Sequence, residues 1–183
     1  MNIGLVFREN ICYNKNTVWE GENYMAIVTF YRGHPNPPKT TQGAHLGANA
    51  IITYQDKILL EKRKDCDLWG LVGGGVKRAE SPLEAIVREI HEELGIRISK
   101  DQLFKLGVYG EPGRIAAYQD GSIWRMVVVV FALELTEQPQ IILSSESEDM
   151  RFFSREELKN IDIVVTHSDI VEDHFLNKRM PQL

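Results

Sequence analysis

The segment from Ser81 to Gly95 constrains the fold more than any other part of this chain, because it shows both ends of one helix. Ser81 is a good N-cap, Pro82 suits the first helical position, and Glu84 completes a capping box. Gly95 is the residue type that most easily ends a helix in a left-handed conformation. The apolar residues between these ends recur at helical spacing and share one face: Leu83, Ile86, Val87, Ile90 and Leu94. The pattern predicts an amphipathic helix that packs on a sheet.

A second face of this helix carries three acidic residues. Glu89, Glu92 and Glu93 are spaced i, i+3 and i+4, so they share that face. Like charges at this spacing repel one another, and the helix dipole disfavours negative charge near the C-terminus. A hard divalent cation such as Mg²⁺ would resolve the conflict, because it takes oxygen ligands. A solvated acidic surface is the alternative, and these three residues alone do not decide between the two.

Residues 69–75 precede the helix and are rich in glycine. We predict a loop here, in which Gly73, Gly74 and Gly75 let the backbone approach a ligand closely. The loop leads towards the positive end of the helix, which favours an anion such as a phosphate. The segment lacks the lysine of a P-loop and the spacing of a dinucleotide fingerprint. An ordinary tight turn is therefore the alternative.

The rest of the chain shows further strand and helix signals. Predicted strands cover residues 24–31, 46–54, 57–63, 103–109, 124–135 and 150–153, and predicted helices cover 155–160 and 168–177. Gln55 and Asp56 form the turn of a hairpin. This order indicates an α+β fold in which helices flank a mixed sheet. Residues 45–183 are interpreted as the main domain. Residues 1–44 form an N-terminal extension of uncertain role, which either covers a sheet edge or builds a dimer interface.

Composition narrows the class of protein. The 183 residues suit one domain, and the net charge of −5 argues against a nucleic acid polymer as partner. A small phosphorylated ligand fits this charge if a bound cation reverses the local field. The two cysteines, Cys12 and Cys66, form no disulfide framework. The apolar run 126–133 is too short to span a membrane, and residues 1–10 lack a secretory pattern. We expect a cytoplasmic protein without a membrane partner.

The residues from Gly74 to Ile96 resemble a known motif. The chain reads Gly74, five residues, Glu80, seven residues, then Arg88-Glu89-Ile90-His91-Glu92-Glu93-Leu94-Gly95-Ile96. This resembles the Nudix box, G-x5-E-x7-R-E-U-x-E-E-x-G-U with U apolar, and every specified position agrees. At ordinary residue frequencies the odds of an accidental match are on the order of 10⁻⁷. Flanking features extend the resemblance over about residues 46–153, and residues 1–44 lie outside it.

The resemblance to the Nudix family implies an α/β/α sandwich and an attack of water on phosphorus, assisted by Mg²⁺ or Mn²⁺. It implies that Glu89, Glu92 and Glu93 are metal ligands, with the carbonyl of Gly73 facing a metal. Arg88 would orient these carboxylates, and Glu80 would be a supporting acid. The general base would be one of these glutamates or an acid of a later loop, for which Glu146, Glu148 and Asp149 are the candidates. Val72 replaces a proline that the family often has before the glycines.

Substrate clues are weaker. Gly74, Gly75, Arg63 and Lys77 are the predicted contacts to substrate phosphates, and Arg114 and Arg125 are further basic candidates. Tyr109, Tyr118 and Trp124 could stack on a base. The family suggests ADP-ribose, a nucleotide sugar or a modified nucleoside triphosphate as substrate, and by analogy a homodimer. Two other functions stay open: a nucleotide-sensing module without turnover, and an isoprenoid diphosphate isomerase that would use Cys66.

Overall fold

The computed structural model describes residues 28–176. Nine strands are present in this part of the chain: β1 Val28–Tyr31, β2 Ala44–Tyr54, β3 Lys57–Arg63, β4 Trp69–Gly70, β5 Val72–Gly75, β6 Phe104–Tyr109, β7 Ile115–Tyr118, β8 Ile123–Glu134 and β9 Ser147–Phe153. The two α-helices are α1 Pro82–Leu94 and α2 Val165–Val171, and α2 continues as a π-helical turn, Glu172–Leu176. Short 3₁₀ segments cover Lys100–Gln102 and Glu157–Asn160. Cys12, the first four residues of the predicted strand 24–31 and the last residue of the predicted helix 168–177 lie outside the described residues.

The strands form one curled, mixed sheet. Its main order is β1-β7-β8-β2-β3-β4, while β5 pairs with β2, β6 with β8 and β9 with β3. The pair of β2 and β8 is parallel, from Ala44 opposite Arg125 to Thr53 opposite Glu134, and the other pairs are antiparallel. The predicted mixed sheet is confirmed. The turn of the predicted hairpin is also confirmed, because Gln55 and Asp56 both have positive φ angles, 47° and 59°.

The two faces of the sheet bury separate clusters. Alternate residues of a strand point to opposite faces. Ala48, Ala50 and Ile52 of β2 pack with the apolar face of α1, namely Ile86, Ile90 and Leu94. Ile51 belongs to the other cluster, together with Ile170 and Val171 of α2. The sheet therefore has a helix on each face, as the predicted α/β/α sandwich requires. No helix within residues 28–176 combines the length and the apolar composition needed to cross a bilayer.

Helix α1 has the ends that the sequence predicts. The Ser81 side chain accepts a hydrogen bond from the Glu84 backbone N–H at 3.3 Å, and Glu84 Oε2 accepts one from the Ser81 N–H at 2.9 Å. At the other end Gly95 adopts the left-handed conformation and donates its N–H to the carbonyl of His91. These caps define where the helix begins and ends. Because its apolar face is buried against the sheet, the rotation of the helix is fixed, and the direction of the acidic face follows from it.

The glycine-rich segment 69–75 differs from the prediction. It is not a loop but two short strands, because β4 pairs with β3 and β5 pairs with β2. The prediction was wrong here since glycine is depleted in strands, and only the partner strand reveals the pairing of Gly73 with Asn49. The Trp69–Gly75 backbone is therefore fixed by the sheet rather than mobile in a turn.

The remaining differences concern short elements. Strand β7 has four residues and was not predicted from the sequence, which indicated only that Tyr118 could stack on a base. Helix α2 begins at Val165, three residues earlier than predicted, and the predicted helix 155–160 is a 3₁₀ segment, Glu157–Asn160. Strand β1 pairs with β7 from Val28 opposite Tyr118 to Tyr31 opposite Ile115, and so ends the sheet order on that side. Part of the predicted N-terminal extension thus belongs to the sheet.

Candidate active site

A cleft of about 410 Å³ lies where the acidic face of α1 meets the ends of β2, β3 and β5. Nine of the ten predicted site residues line it: Arg63, Gly73, Gly74, Gly75, Lys77, Arg88, Glu89, Glu92 and Glu93. The tenth, Glu80, does not line the cleft but accepts hydrogen bonds from Arg88, which does. The volume is in the range of small-molecule sites. The structure therefore brings the predicted residues to one place, although they come from separate elements.

Arg88 connects most of the acidic residues. Its Nε and Nη2 donate to the two carboxylate oxygens of Glu80, at 3.0 and 2.6 Å. Its Nη1 donates to Glu89 at 2.6 Å and to Glu92 at 3.0 Å, and its Nη2 also donates to the carbonyl of Gly75 at 3.1 Å. Hydrogen bonds from Arg88 are the main reason why the pKa of Glu80 is lowered to about 2. One guanidinium thus fixes three carboxylates relative to the glycine strand.

Glu93 occupies the interior of the cleft. Its Oε2 is buried and has no hydrogen-bond partner within residues 28–176. Burial raises the pKa of Glu93 to about 9, and the charges of Glu61 and Glu89 add to this, while a backbone contact with Gly73 acts in the opposite direction. A carboxylate with these surroundings is either protonated or compensated by a cation.

Glu61 is the main site residue that the sequence analysis missed. It lies on β3, is 3% exposed and lines the cleft. Ser147 Oγ donates a hydrogen bond to Glu61 Oε1 at 2.7 Å. The available signal was the alternation of β3, since residue 61 shares its face with the buried Leu59. A glutamate at such a position is unusual and indicates a special environment.

The carboxylates suit a hard divalent cation, although they are not gathered as ligands. Among residues 28–176, no three acidic, histidine or cysteine side chains form a ready-made metal cluster. Arg88 holds Glu89 and Glu92, and the side chain of Glu92 is 52% exposed. The unpartnered Oε2 of Glu93 beside two further acids is the observation that fits a cation. Oxygen donors of this kind are the ligands that Mg²⁺ and Mn²⁺ prefer.

Two of the glycines are required by close approaches. Gly73 has a φ angle of +140°, and a Cβ atom there would lie 2.2 Å from the carbonyl oxygen of Ala48 and 2.8 Å from Asn49 Cα. A Cβ atom on Gly74 would lie 2.5 Å from Glu89 Oε1. The first contact involves the backbone of β2, and the second involves the end of a flexible side chain. Gly73 therefore serves the fold, whereas Gly74 makes room for an acidic side chain.

This difference predicts opposite outcomes for two alanine substitutions. Gly73→Ala is expected to lower the free energy of unfolding by roughly 3 kcal/mol or more, because the backbone of β2 cannot move away cheaply. Gly74→Ala is expected to cost less, on the order of 1 kcal/mol, since the Glu89 side chain can move aside although Arg88 holds its carboxylate. Urea denaturation of both variants measures this. Equal losses would mean that the Glu89 carboxylate is as rigidly held as the strand.

Apolar and aromatic side chains also line the cleft. They are Phe30, Tyr118 and Met126, and the ring of His45 lies beside Gly75. Among the aromatic residues predicted to stack on a base, Tyr118 therefore lines the cleft. Tyr109 and Trp124 do not: the Tyr109 hydroxyl contacts Asp173 and His174, and Trp124 packs edge-on against His45.

Two basic residues were misinterpreted as phosphate contacts. Arg114 is completely buried and pairs with Asp169 of α2 and with Glu111. Arg125 lies outside the cleft and donates to the carbonyl of Gly110. Sequence alone could not separate these residues from Arg63 and Lys77, because their partners Asp169 and Gly110 are distant in the chain.

The structure also shows which of the other acidic residues line the cleft, and it adds one histidine to them. Of the three candidates for an extra acid, Glu146 lines the cleft, whereas Glu148 and Asp149 do not. His167 of α2 also lines it, and its Nδ1 accepts a hydrogen bond from the Leu71 N–H at 3.0 Å. Burial lowers the pKa of His167 to about 3, so this ring is neutral. It joins α2 to the segment that leads into the glycines.

Comparison with known proteins gives one family. The NUDIX domain model matches residues 43–174. An ADP-ribose pyrophosphatase of Methanocaldococcus jannaschii is 30% identical over 132 residues, which are 70% of this chain and 72% of that protein. A putative 8-oxo-dGTP diphosphatase of Bacillus subtilis is 46% identical over 72 residues, which are 39% of this chain and 45% of that protein. The second match thus spans less than half of the relative's length.

Solved structures share the fold. The NUDIX domain of Shewanella oneidensis NrtR, complexed with ADP ribose, has a TM-score of 0.59 at 22% identity, over 75% of this chain and 90% of that chain. A bifunctional NMN adenylyltransferase/ADP ribose pyrophosphatase from Francisella tularensis, complexed with AMP and a Mn ion, has a TM-score of 0.57 at 24% identity, over 75% of this chain and 41% of that chain. At these identities the likeness concerns the fold alone.

Proposed function

We propose the following function because this chain belongs to the Nudix family. The proposed activity is hydrolysis of a diphosphate linkage in a nucleoside diphosphate derivative by attack of water on phosphorus, with Mg²⁺ or Mn²⁺ as cofactor. The observation that carries the proposal is that Glu89, Glu92 and Glu93 line the same cleft as Gly73 and Gly74. The expected location is the cytoplasm. A homodimer is proposed by analogy only.

The cation would be held by Glu89, Glu92 and Glu93, with the carbonyl of Gly73 as a further oxygen ligand. When bound, such a cation neutralises charge on phosphate oxygens and lowers the pKa of a water molecule. Arg88 would keep the carboxylates in place, since it already bonds to Glu89 and Glu92. This arrangement supports hydrolysis because Arg88 keeps two of the carboxylates beside the glycine strand, where a cation could gather them as ligands.

Two basic residues are proposed to contact the phosphates, but they are not equivalent. Lys77 is 65% exposed at its side chain and its Nζ lies 4.0 Å from Glu92, so it can turn towards a substrate at little cost. Arg63 is engaged by Asp65, through Nε to Oδ1 at 2.9 Å and Nη2 to Oδ2 at 2.5 Å. Lys77 is therefore the better candidate for direct contact, and Arg63 contributes its charge from the side of the cleft.

The substrate class follows from the two kinds of side chain that line the cleft. The acidic residues with their cation would take the diphosphate, and the apolar side chains of Phe30, Tyr118 and Met126 would take a base. ADP-ribose, a nucleotide sugar and a modified nucleoside triphosphate all have this combination of groups. The names of the relatives in Methanocaldococcus jannaschii and Bacillus subtilis, an ADP-ribose pyrophosphatase and a putative 8-oxo-dGTP diphosphatase, support the same classes. The net charge of −5 argues against a nucleic acid polymer.

A substrate panel tests the proposal. Dinucleotides, nucleotide sugars and modified nucleoside triphosphates are incubated with the full chain and Mg²⁺ or Mn²⁺, and the products are identified by chromatography. We expect one class to release phosphate or a nucleoside monophosphate, and chelation of the metal to abolish the reaction. If no compound is turned over but one nucleotide binds tightly without metal, the chain is a sensing module instead.

The isomerase alternative loses its support. It depends on a catalytic cysteine, and Cys66 is buried, 6% exposed, outside the residues that line the cleft. Its side chain packs in a cluster with Val28, Phe30 and Val164. A thiol that does not line the cleft is not placed to act on a substrate bound there.

A further inference from the structure

We propose that Glu61 is a further metal-facing carboxylate of this site and that Ser147 is the residue that positions it. Glu61 lies on β3, outside the Nudix box, and lines the same cleft as Glu93. This inference rests on the proposed function, because it adds a ligand to the cation of that site. It replaces Glu148 and Asp149, which the sequence suggested as extra acids and which lie outside the cleft.

The burial of Glu61 requires a compensating partner. Glu61 is 3% exposed and lies near the carboxylate of Glu93, so two acids share one poorly solvated space. Burying a charge without a partner is costly, and a second like charge increases the cost. The acidic pair is therefore compatible with the fold only if a proton or a cation compensates the second charge.

Arg63, a cation that acts on Glu61, does not meet this requirement. Arg63 is close enough to influence Glu61, but its guanidinium makes a two-point contact with Asp65. Its charge is thus already matched by one carboxylate. A divalent cation would compensate both Glu61 and Glu93, which a single arginine cannot.

A chain of hydroxyl groups holds Glu61 in place. Ser147 at the start of β9 is itself 3% exposed and donates to Glu61 Oε1 at 2.7 Å. Because its one proton is used in this bond, the Oγ of Ser144, 2.9 Å away, donates to the Ser147 Oγ. Ser147 therefore fixes the direction of one carboxylate oxygen. This is the arrangement by which residues around a metal ligand usually orient it.

The test measures metal affinity without substrate. Binding of Mn²⁺ to the full chain is followed by the electron paramagnetic resonance signal of the free ion. Glu61→Gln keeps the shape of the side chain and should weaken Mn²⁺ binding by about tenfold or more, and Ser147→Ala should weaken it by about tenfold. In the double variant, Ser147→Ala should add no further loss, because Ser147 acts only through Glu61. Glu134→Gln, an exposed glutamate at the end of β8, is the matched control and should bind as the wild type does.

The outcomes separate the two proposals. Mn²⁺ affinity that is unchanged in Glu61→Gln would overturn this inference and assign Glu61 and Glu93 to a pair that shares a proton. If Glu61→Gln does not fold, Ser147→Ala decides, and unchanged affinity there overturns the inference as well. A wild type that binds Mn²⁺ with the expected losses in the variants, but hydrolyses no compound of the panel, would overturn the proposed function alone.

Discussion

Replacing Glu93 by glutamine is expected to slow hydrolysis by at least about a hundredfold, because even residues that only support a metal ligand contribute 10- to 100-fold. Glu93 is the innermost of the three helix carboxylates, and its Oε2 is the buried oxygen without a partner. An amide has the same shape but offers neither the charge nor a second oxygen. The fold should persist, since glutamine resembles the protonated acid. Steady-state kinetics at saturating Mg²⁺, with near-ultraviolet circular dichroism as the check on folding, measures both effects.

A matched variant on β9 makes this result specific. Glu148 is exposed and lies outside the cleft, although the sequence suggested it as an extra acid. Glu148→Gln should leave kcat and KM within about twofold of the wild type, as is usual for surface substitutions. If Glu148→Gln is the slow variant and Glu93→Gln is not, the chemistry belongs to the start of β9 and the assignment of α1 is wrong.

The part of the site that lies on α1 could be predicted because its signals are local. A capped helix fixes the positions of its own side chains, so the spacing of Glu89 and Glu93 determined one acidic face before any tertiary contact was known. The apolar face of the same helix then required a sheet beneath it. Both statements depend on a few neighbouring residues, which is the range over which sequence patterns are informative.

The part of the site that comes from other strands could not be predicted. Glu61 is adjacent to α1 only because β3 lies in the sheet where it does, and the same letters would suit an exposed strand end. Arg114 shows the reverse error, since an isolated arginine looks like a surface residue until Asp169 from α2 meets it in the interior. In both cases the partner is distant in the chain, 86 residues for Glu61 and 55 for Arg114.

The prediction of a loop at the glycine-rich segment 69–75 was wrong for a related reason. Residues 73–75 are all glycine and lack the β-branched residues that mark strands, so the sequence favoured a loop. Pairing with β2 supplies their hydrogen bonds instead, from Gly47 opposite Gly75 to Ala50 opposite Val72. The proposed role of these glycines in binding does not require a mobile loop, because the close approach of Gly74 to Glu89 depends on the missing side chain.

Thermal stability without metal is expected to fall as the pH rises, and Mg²⁺ is expected to reverse this fall. Burial raises the pKa of Glu93 from 4.5 to about 9, so between these values the folded chain binds more protons than the unfolded chain. Stability therefore decreases as the pH increases through this window. Mg²⁺ competes with that proton, so it binds more tightly near pH 9 than near pH 5. At a Mg²⁺ concentration about 100 times the dissociation constant the added stability is about 2.7 kcal/mol, which raises the Tm of a chain of this length by roughly 5–10 °C.

Differential scanning calorimetry at about pH 6 and about pH 8.5, with Mg²⁺ or with a chelator, measures this linkage. The increase in Tm caused by Mg²⁺ should be larger at the higher pH. There a smaller fraction of the folded chains carries the Glu93 proton that the cation has to displace. Glu93→Gln provides the control: its uncharged amide should give a metal-free Tm that depends less on pH and responds little to Mg²⁺. A wild type whose Mg²⁺ response is the same at both pH values, or larger at the lower one, would show that Glu93 does not take up the cation. In that case the buried carboxyl keeps its proton, and the acids of α1 serve the fold rather than a metal.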